Sequence, residues 1–587
     1  MSLQNKILNV DAVCDLVVVG SGAGGLSTAI TATKRGLKVI VVEKEAVYGG
    51  TTAFSGGVLW VPNNPHAQKQ GIVDSREAAM RYLQNEAGSH FDAEAAAVFF
   101  DNAPKMVEFF ERETTVKFVP TLYPDYHPEV EGGVDIGRSI LAAPFDIREL
   151  GDEMARLRPP LETITFIGMM FNSSNADLKH FFNVTKSPTS FVYVAKRLAT
   201  HVKELTLYKR GIQVTSGNAL AARLAKSAFD LNIPIFTETA AKELLTENGR
   251  VVGLQVKTAD GRVRKIQAKH GVVLASGGFS HDRARLKKLY PHVASGGEHF
   301  SPVPTGNTGD GARLAESVGA TVSSDYADNS AWMPVSRVPM KGGEFGVFPH
   351  LLDRYKPGVI GVLKNGQRFC NESNSYHDVG AALWRACAGE AETAMWLVCD
   401  AKTLAKYGLG YVKPAPLPHG KLIQQGYLFK GASLDELAQK TGIDAQGLRD
   451  TIADYNVHAA HGEDPAYGRG TSTFNRYLAD PEHQPNPCVA PVAQGPFYAV
   501  KVYMGDLGTF NGIETTPVGE VLGADKQVIA GLYSVGNDRK SVMGGNYPGA
   551  GITLGPIMTY GYVTANVIAD QAQVHDLQAA SATVLTL

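Results

Sequence analysis

Apolar positions cluster in short uninterrupted runs at the start of the chain. Asp15-Leu-Val-Val-Val-Gly20 is a β-branched run of the kind that forms a strand buried on both faces. The next stretch, LSTAITATKRG, switches to helical spacing and ends at Gly36, and Lys38-Val-Ile-Val-Val-Glu43 is a second buried strand. Together these predict a β-α-β unit within the first 45 residues. Two further sets of strand signals lie far downstream. Residues 250–275 read as a hairpin turning at Asp260-Gly261, followed by the buried strand Gly271-Val-Val-Leu-Ala275. GLYSVGN (531–537) precedes a glycine-rich stretch and the helical GPIMTYGYVTANVIADQA. The pattern predicts an α/β fold with a Rossmann-like domain assembled from discontinuous segments, 1–325 and 488–587, and an inserted α+β domain over 326–487. Within the first part, about 155–212 reads as a helical insertion, and 161–212 is apolar with Lys and Arg interleaved. Ordinary amphipathic helices packed on the body explain that stretch. The sharper alternative is a patch that touches a membrane surface or frames the mouth of a lipophilic channel.

Composition narrows the classes. The 587 residues are 44% hydrophobic, enough for a large core, and the charge is balanced at 56 Lys+Arg against 58 Asp+Glu. That balance gives no electrostatic footprint for nucleic acid. The 62 glycines point to many tight turns and close backbone approaches. Cysteines at 14, 370, 387, 399 and 488 are odd in number and scattered, so no disulfide framework is expected. The first residues lack a signal peptide's apolar core, and no run of about 18 apolar residues occurs. The expectation is a cytoplasmic protein, with peripheral membrane contact as the alternative carried by 161–212. No His, Cys and carboxylate grouping has metal-ligand spacing, so no metal is expected.

The loop joining strand and helix, GSGAGG, has the GxGxxG spacing of a dinucleotide site. Gly20 permits the tight turn, Gly22 lets the backbone approach a pyrophosphate, and Gly25 lets helix and strand pack closely. The helix start offers N–H groups and a partial positive charge to phosphates. Glu43, at the end of the second strand, is placed to accept hydrogen bonds from a ribose.

A second glycine- and hydroxyl-rich loop, Gly49 to Gly57, follows, and here the sequence resembles the FAD flavoproteins of the fumarate reductase and succinate dehydrogenase superfamily. VVLASGGF (272–279), TGNTGDG (305–311), GLYSVGN and GAGITLGPIMTYG (549–561) agree. By that resemblance FAD is held by Gly20, Gly22, Ala23, Gly24, Gly25, Glu43, Lys44, Gly50, Thr51, Thr52, Ser55, Gly56 and Gly57. The same reasoning adds Ala275, Ser276, Gly277, Asn307, Gly309, Asp310, Gly536, Asn537, Gly549, Gly551, Ile552 and Leu554. No His lies in GGTTAFSGG to carry a covalent link, so non-covalent FAD is expected.

Fumarate reductases carry an Arg-containing segment before the final glycines, where this chain reads SVMGGNYPGAG (541–551). That stretch resembles the 3-ketosteroid Δ1-dehydrogenases, as do YPDYHPEVEGGVDIGRS (123–139) and RFCNESNSYHD (368–378). The resemblance implies 1,2-dehydrogenation of a cyclic ketone, most readily a 3-ketosteroid, with a small monocyclic ketone such as cyclohexanone as the alternative and a fumarate reductase-like enzyme as a further one. It places Tyr376 as the base for the α-proton, Tyr126 hydrogen-bonded to it, Tyr547 and the Gly551 N–H on the ketone oxygen, and FAD N5 as hydride acceptor. Tyr123 is the alternative to Tyr126. A tyrosine base costs about 4 kcal/mol to ionise at pH 7, so activity is expected to rise with an apparent pKa of roughly 8–10. His127 and His377 read as hydrogen-bonding or exposed residues, Arg138 as a structural cation tying a loop to a carboxylate, and Cys370 as packing. Without an iron–sulfur motif or a second nucleotide fingerprint, electrons are expected to leave to an external quinone, dye or oxygen.

Overall fold

The computed structural model describes residues 8, 10–170, 180, 181, 184 and 187–585, with side chains to residue 574. At its centre is a six-stranded sheet in the order Glu520–Leu522, Val528–Ser534, Val272–Leu274, Leu16–Val19, Val39–Val42, Ile235–Phe236. All neighbours are parallel except the edge strand Glu520–Leu522. The β-branched runs serve both faces at once. Leu16, Val18, Val39 and Val41 pack into a core shared with the helices, while Val17, Val19, Ile40 and Val42 pack into a second core. That second core is closed by a four-stranded sheet, Ala12–Cys14, Val263–Ala268, Arg250–Lys257 and Ala240–Glu247. The turn expected at Asp260-Gly261 joins two of its strands.

Helix Ala23–Lys34 crosses between the first two strands, and the C-terminal helix Leu554–Leu585 packs against it. The crossing is close: a Cβ on Gly561 would stand 2.1 Å from Ser27 Oγ. Arg35 secures it further, reaching Asn566 Oδ1 at 2.7 Å and Asp570 Oδ1 at 2.6 Å.

The inserted domain is built on a six-stranded antiparallel sheet, Phe345–Pro349, Ser330–Pro339, Phe497–Thr509, Ala394–Asp400, Val359–Val362, with Leu428–Gly431 also paired to Phe497–Thr509. Its two faces bury separate cores, one around Trp332, Leu397 and Val502 and the other around Ile360, Trp396 and Val398. Phe497–Thr509 is hydrogen-bonded between Ser330–Pro339 and Ala394–Asp400, so the chain returns to the nucleotide-binding part only after Thr509.

Among its described residues, the stretch 161–212 holds one turn at Glu162–Ile164, helical residues 180 and 181, and the helix Pro188–Tyr208, while 171–179, 182, 183, 185 and 186 lie outside them. That helix buries only Ser190, Val194 and His201, leaving Phe191, Val192, Val202 and Leu207 exposed. No helix among the described residues is long and apolar enough to cross a membrane.

Candidate active site

A cleft opens at the C-terminal ends of the central parallel strands. Such crevices are where open α/β sheets bind ligands. Its lining brings together Gly20, Gly22, Ala23, Gly24, Glu43, Lys44, Gly50, Thr51, Thr52, Ala275, Ser276, Gly277, Asn307, Asp310, Gly536 and Asn537. Ser21 also lines it; its Oγ and N–H donate to Glu43 Oε2 at 2.6 and 3.2 Å, and Glu45 N–H donates to Glu43 Oε1 at 3.0 Å. These bonds fix the carboxylate at the ribose position of the βαβ motif. Asn307 Nδ2 ties the second loop to the third strand, donating to Thr51 Oγ1 and Gly277 O at 3.0 Å each. Lys44 is ion-paired with Asp310 across the rim.

The residues present fit FAD. Gly20 has φ +108°, and a Cβ there would stand 2.2 Å from Ala275 O. A Cβ on Gly25 would stand 1.9 Å from Gly20 O, so only glycine lets the helix start this close to the strand. The N–H groups of Gly22, Gly24 and Gly25 find no acceptor among the described residues, leaving donors for a pyrophosphate. Arg158 lines the same cleft with its Nε buried and without a partner among the described residues. Burial pulls its guanidinium pKa down, with Glu43 and Glu45 acting against that. Arg158, Thr239, Ala241 and Pro304 escaped the sequence reading because they stand outside the glycine motifs, and Gly306 and Ile557 escaped it although they stand within two of them.

Gly25, Ser55, Gly56, Gly57, Gly309, Gly549, Gly551, Ile552 and Leu554 stand outside this lining. Ser55 closes the turn of its loop, its Oγ bonded to Thr52 O and Gly57 N. Gly309, at φ +76°, caps the helix Asp310–Glu316.

The three tyrosines come from distant segments and meet in one place. Tyr126 lies in the loop between strands Phe118–Pro120 and Ser139–Ala142, Tyr376 is the first residue of helix Tyr376–Ala386, and Tyr547 precedes the C-terminal helix. Tyr126 OH donates to Tyr376 OH at 3.3 Å. The Tyr126 and Tyr547 rings stack at 5.5 Å, and Tyr376 stands edge-on to both, at 5.8 and 5.0 Å. Phe474, at 4.4 Å from Tyr126, and Phe510, at 6.2 Å from Tyr547, extend the aromatic wall. Tyr123 faces Tyr477 at 4.8 Å, on the flank of the cluster rather than in it.

Burial pushes the phenols of Tyr126 and Tyr376 well above their ordinary value, and the neighbouring tyrosines add to it. Tyr547 is raised by burial too. The place of Tyr376 in the first turn of an 11-residue helix, where a negative charge is favoured, opposes this.

Gly551 has φ +93°, and a Cβ would stand 2.5 Å from Val58 O. Its carbonyl accepts from Trp60 N–H at 3.0 Å, and its own N–H has no acceptor among the described residues. Arg138 is fully buried between Asp74 and Asp125, each at 2.8 Å. Asp125 also accepts from Trp60 Nε1 at 2.8 Å, so this network supports the loop that carries Tyr126. His377 Nδ1 accepts from Trp332 N–H at 3.2 Å, and burial raises the Cys370 thiol.

The family model described as FAD binding domain matches residues 15–554. A 4-oxocyclohex-2-ene-1-carboxylate 5-dehydrogenase of Sinomonas cyclohexanicum is 41% identical over 98% of this chain and 96% of its own. A 3-oxosteroid 1-dehydrogenase of Mycolicibacterium smegmatis is 36% identical over 95% of this chain and 97% of its own. Among solved structures, the 3-ketosteroid Δ1-dehydrogenase of Sterolibacterium denitrificans in complex with 1,4-androstadiene-3,17-dione aligns with TM-score 0.87 at 34% identity, covering 95% of this chain and all of that one. With the dinucleotide cleft beside a buried tyrosine cluster, these matches settle the family: the chain belongs to the FAD-dependent 3-ketosteroid Δ1-dehydrogenases.

Proposed function

We propose that this enzyme desaturates a cyclic ketone at the carbon pair beside its carbonyl, with a 3-ketosteroid as substrate. The observation that carries the reading is the meeting of Tyr126, Tyr376 and Tyr547 within 6 Å of one another, ring to ring. The Tyr547 hydroxyl and the Gly551 N–H donate to the ketone oxygen and stabilise the enolate that develops there. The Tyr376 oxygen takes the proton from the α-carbon, and Tyr126 donates to that oxygen. Bound FAD supplies the acceptor for the hydride of the β-carbon. The two C–H bonds are thereby exchanged for one C=C bond, and the electron pair leaves to an external acceptor such as a quinone.

The lining residues of the cleft hold the adenosine and pyrophosphate end of FAD. Gly549, Gly551, Ile552, Leu554 and the turn at Ser55, Gly56 and Gly57 belong to its ring end. Apolar walls around the tyrosines favour a hydrocarbon substrate. A second reading keeps every role and replaces the steroid by a single oxocyclohexane ring bearing a carboxylate; the relative at 41% identity favours it.

Anaerobic mixing of the yellow protein with androst-4-ene-3-one, a saturated 3-ketosteroid, 4-oxocyclohexanecarboxylate, cyclohexanone and succinate tests both. Bleaching by the steroids with a Δ1 product supports the first reading. Bleaching by the ring ketones alone moves the substrate to the second, and an inert flavin overturns the assignment.

A further inference from the structure

The Tyr126 and Tyr547 segments are tied together through backbone. Tyr126 N–H donates to Pro548 O at 2.8 Å, and Tyr82 OH donates to the same carbonyl at 2.7 Å while accepting from His127 N–H at 3.2 Å. Tyr376 belongs to the inserted domain, and among the described residues no backbone hydrogen bond joins 375–378 to either segment. One half-buried ionic contact does join them. His127 Nε2 lies 3.0 Å from Asp378 Oδ2, and its Nδ1 lies 2.9 Å from Glu86 Oε2. His127 follows Tyr126 directly, and Asp378 stands two residues after Tyr376 with its N–H bonded to the Ser375 cap at 3.1 Å. Glu86 also reaches the third tyrosine's loop, its carbonyl accepting from Asn546 Nδ2 at 2.7 Å.

We propose that Glu86, His127 and Asp378 form an interdomain clamp that sets the Tyr126–Tyr376 hydrogen bond, making all three positioning residues for proton abstraction. The inference rests on the reading of Tyr376 as base. At 3.3 Å that bond is already longer than the usual O–H···O contact, and a slip of about 1 Å would break it. A phenolate that loses its donor becomes harder to form, and each unit of pKa is a tenfold smaller ionised fraction at fixed pH.

The clamp keeps its charge from pH 7 to 10, where the rising limb is read. Burial works against the imidazolium, yet Asp378 and Glu86 outweigh it and raise His127 to about 11. Besides those carboxylates, the groups facing it are the Tyr82 hydroxyl and the neighbouring His377, which burial keeps below its ordinary value.

The test is the pH dependence of anaerobic flavin reduction in the FAD-loaded full chain. Asp378→Asn and His127→Gln should lower the rate at pH 7.5 about tenfold and move the rising limb up by about one pH unit, with KM little changed. Asp378→Glu should restore most of both. In a Tyr126→Phe background, Asp378→Asn should add no further shift, because the bond it protects is already gone. A limb that ignores Asp378→Asn, or shifts that add in the double variant, overturns the clamp. Should Asp378→Asn fail to fold, Glu86→Gln leaves the His127–Asp378 contact in place and should give a smaller shift of the same sign; no shift overturns the proposal. Flavin inert to every ketone would instead refute the desaturase reading. The clamp would then be decided by 3-fluorotyrosine at position 376, whose ¹⁹F titration should move upward in Asp378→Asn and, if unmoved, refutes it.

Discussion

Replacing Tyr547 by Phe isolates the hydroxyl assigned to the ketone oxygen. The ring stays, so its stack on Tyr126 at 5.5 Å and its edge contact with Tyr376 at 5.0 Å are preserved. The lost hydroxyl leaves no charged group unpaired, so stability should change by no more than about 1 kcal/mol and FAD should remain bound. The effect on rate is larger. One donor removed from an oxyanion site costs about 2.7–4 kcal/mol, a factor of roughly 10²–10³ in the chemical step. The remaining donor, the Gly551 N–H, sets the floor. We therefore expect the limiting rate of flavin reduction to fall about a hundredfold. KM should change little, because the bond strengthens as negative charge develops on the oxygen. Anaerobic stopped-flow absorbance of the flavin, with FAD content and melting temperature as controls, measures this directly. A variant that retains FAD and reduces it within threefold of the wild-type rate would refute the oxyanion role.

Because burial pushes the Tyr376 phenol well above 10, flavin reduction should keep rising about tenfold per unit beyond pH 7 and level off only at or above the top of the 8–10 range; a plateau reached by pH 7 sinks the tyrosine base. Gly25→Ala places a methyl group 1.9 Å from Gly20 O, so the purified variant should be largely colourless, and a wild-type ratio of flavin to protein absorbance would contradict the close strand–helix approach. Burial holds His292 neutral, with its pKa lowered to about 3. The unfolded chain takes up a proton there below about pH 6.5 that the folded one does not, so stability falls as the pH drops from 6.5 toward 3, by up to about 1.4 kcal/mol per unit. Denaturant midpoints between pH 4.5 and 7 should show this slope flattened in His292→Gln, and an unchanged slope rejects it. A membrane contact through the helix Pro188–Tyr208 predicts co-sedimentation with anionic vesicles, abolished by Phe191→Glu with Val192→Glu; wild-type protein that stays in the supernatant rejects it.

What could be read in the chain beforehand divides along the range of the interactions involved. The strand–turn–helix from Asp15 to Gly36 is specified locally: β-branched runs, glycines and helical spacing all lie within one βαβ unit, and the structure returns that unit almost residue for residue. The sheet that takes Phe497–Thr509 is decided by pairing partners 66 to 179 positions upstream, from Gly431 back to Ser330, and no property of the strand itself names them. Arg158 reaches the cleft for a similar reason. Its neighbours there, Glu43 and Glu45, lie more than a hundred positions upstream, so no local motif could have marked it.

The tyrosine cluster shows the same division at the site itself. Tyr126 and Tyr376 are 250 positions apart, and either alone is one of 22 tyrosines in a chain that buries many of them. Only the resemblance of three short motifs singled them out; composition and spacing contain nothing that would. The surrounding geometry then explains why those motifs are longer than their tyrosines. Asp125 holds its loop through Trp60 and Arg138, His127 reaches across to Asp378, and Ser375 caps the helix that Tyr376 begins. A hydroxyl pair at 3.3 Å between two domains tolerates little slack. The residues flanking each tyrosine are therefore constrained by the distance between the tyrosines as well as by their own segment, which is why the motif can be recognised where the single residue cannot.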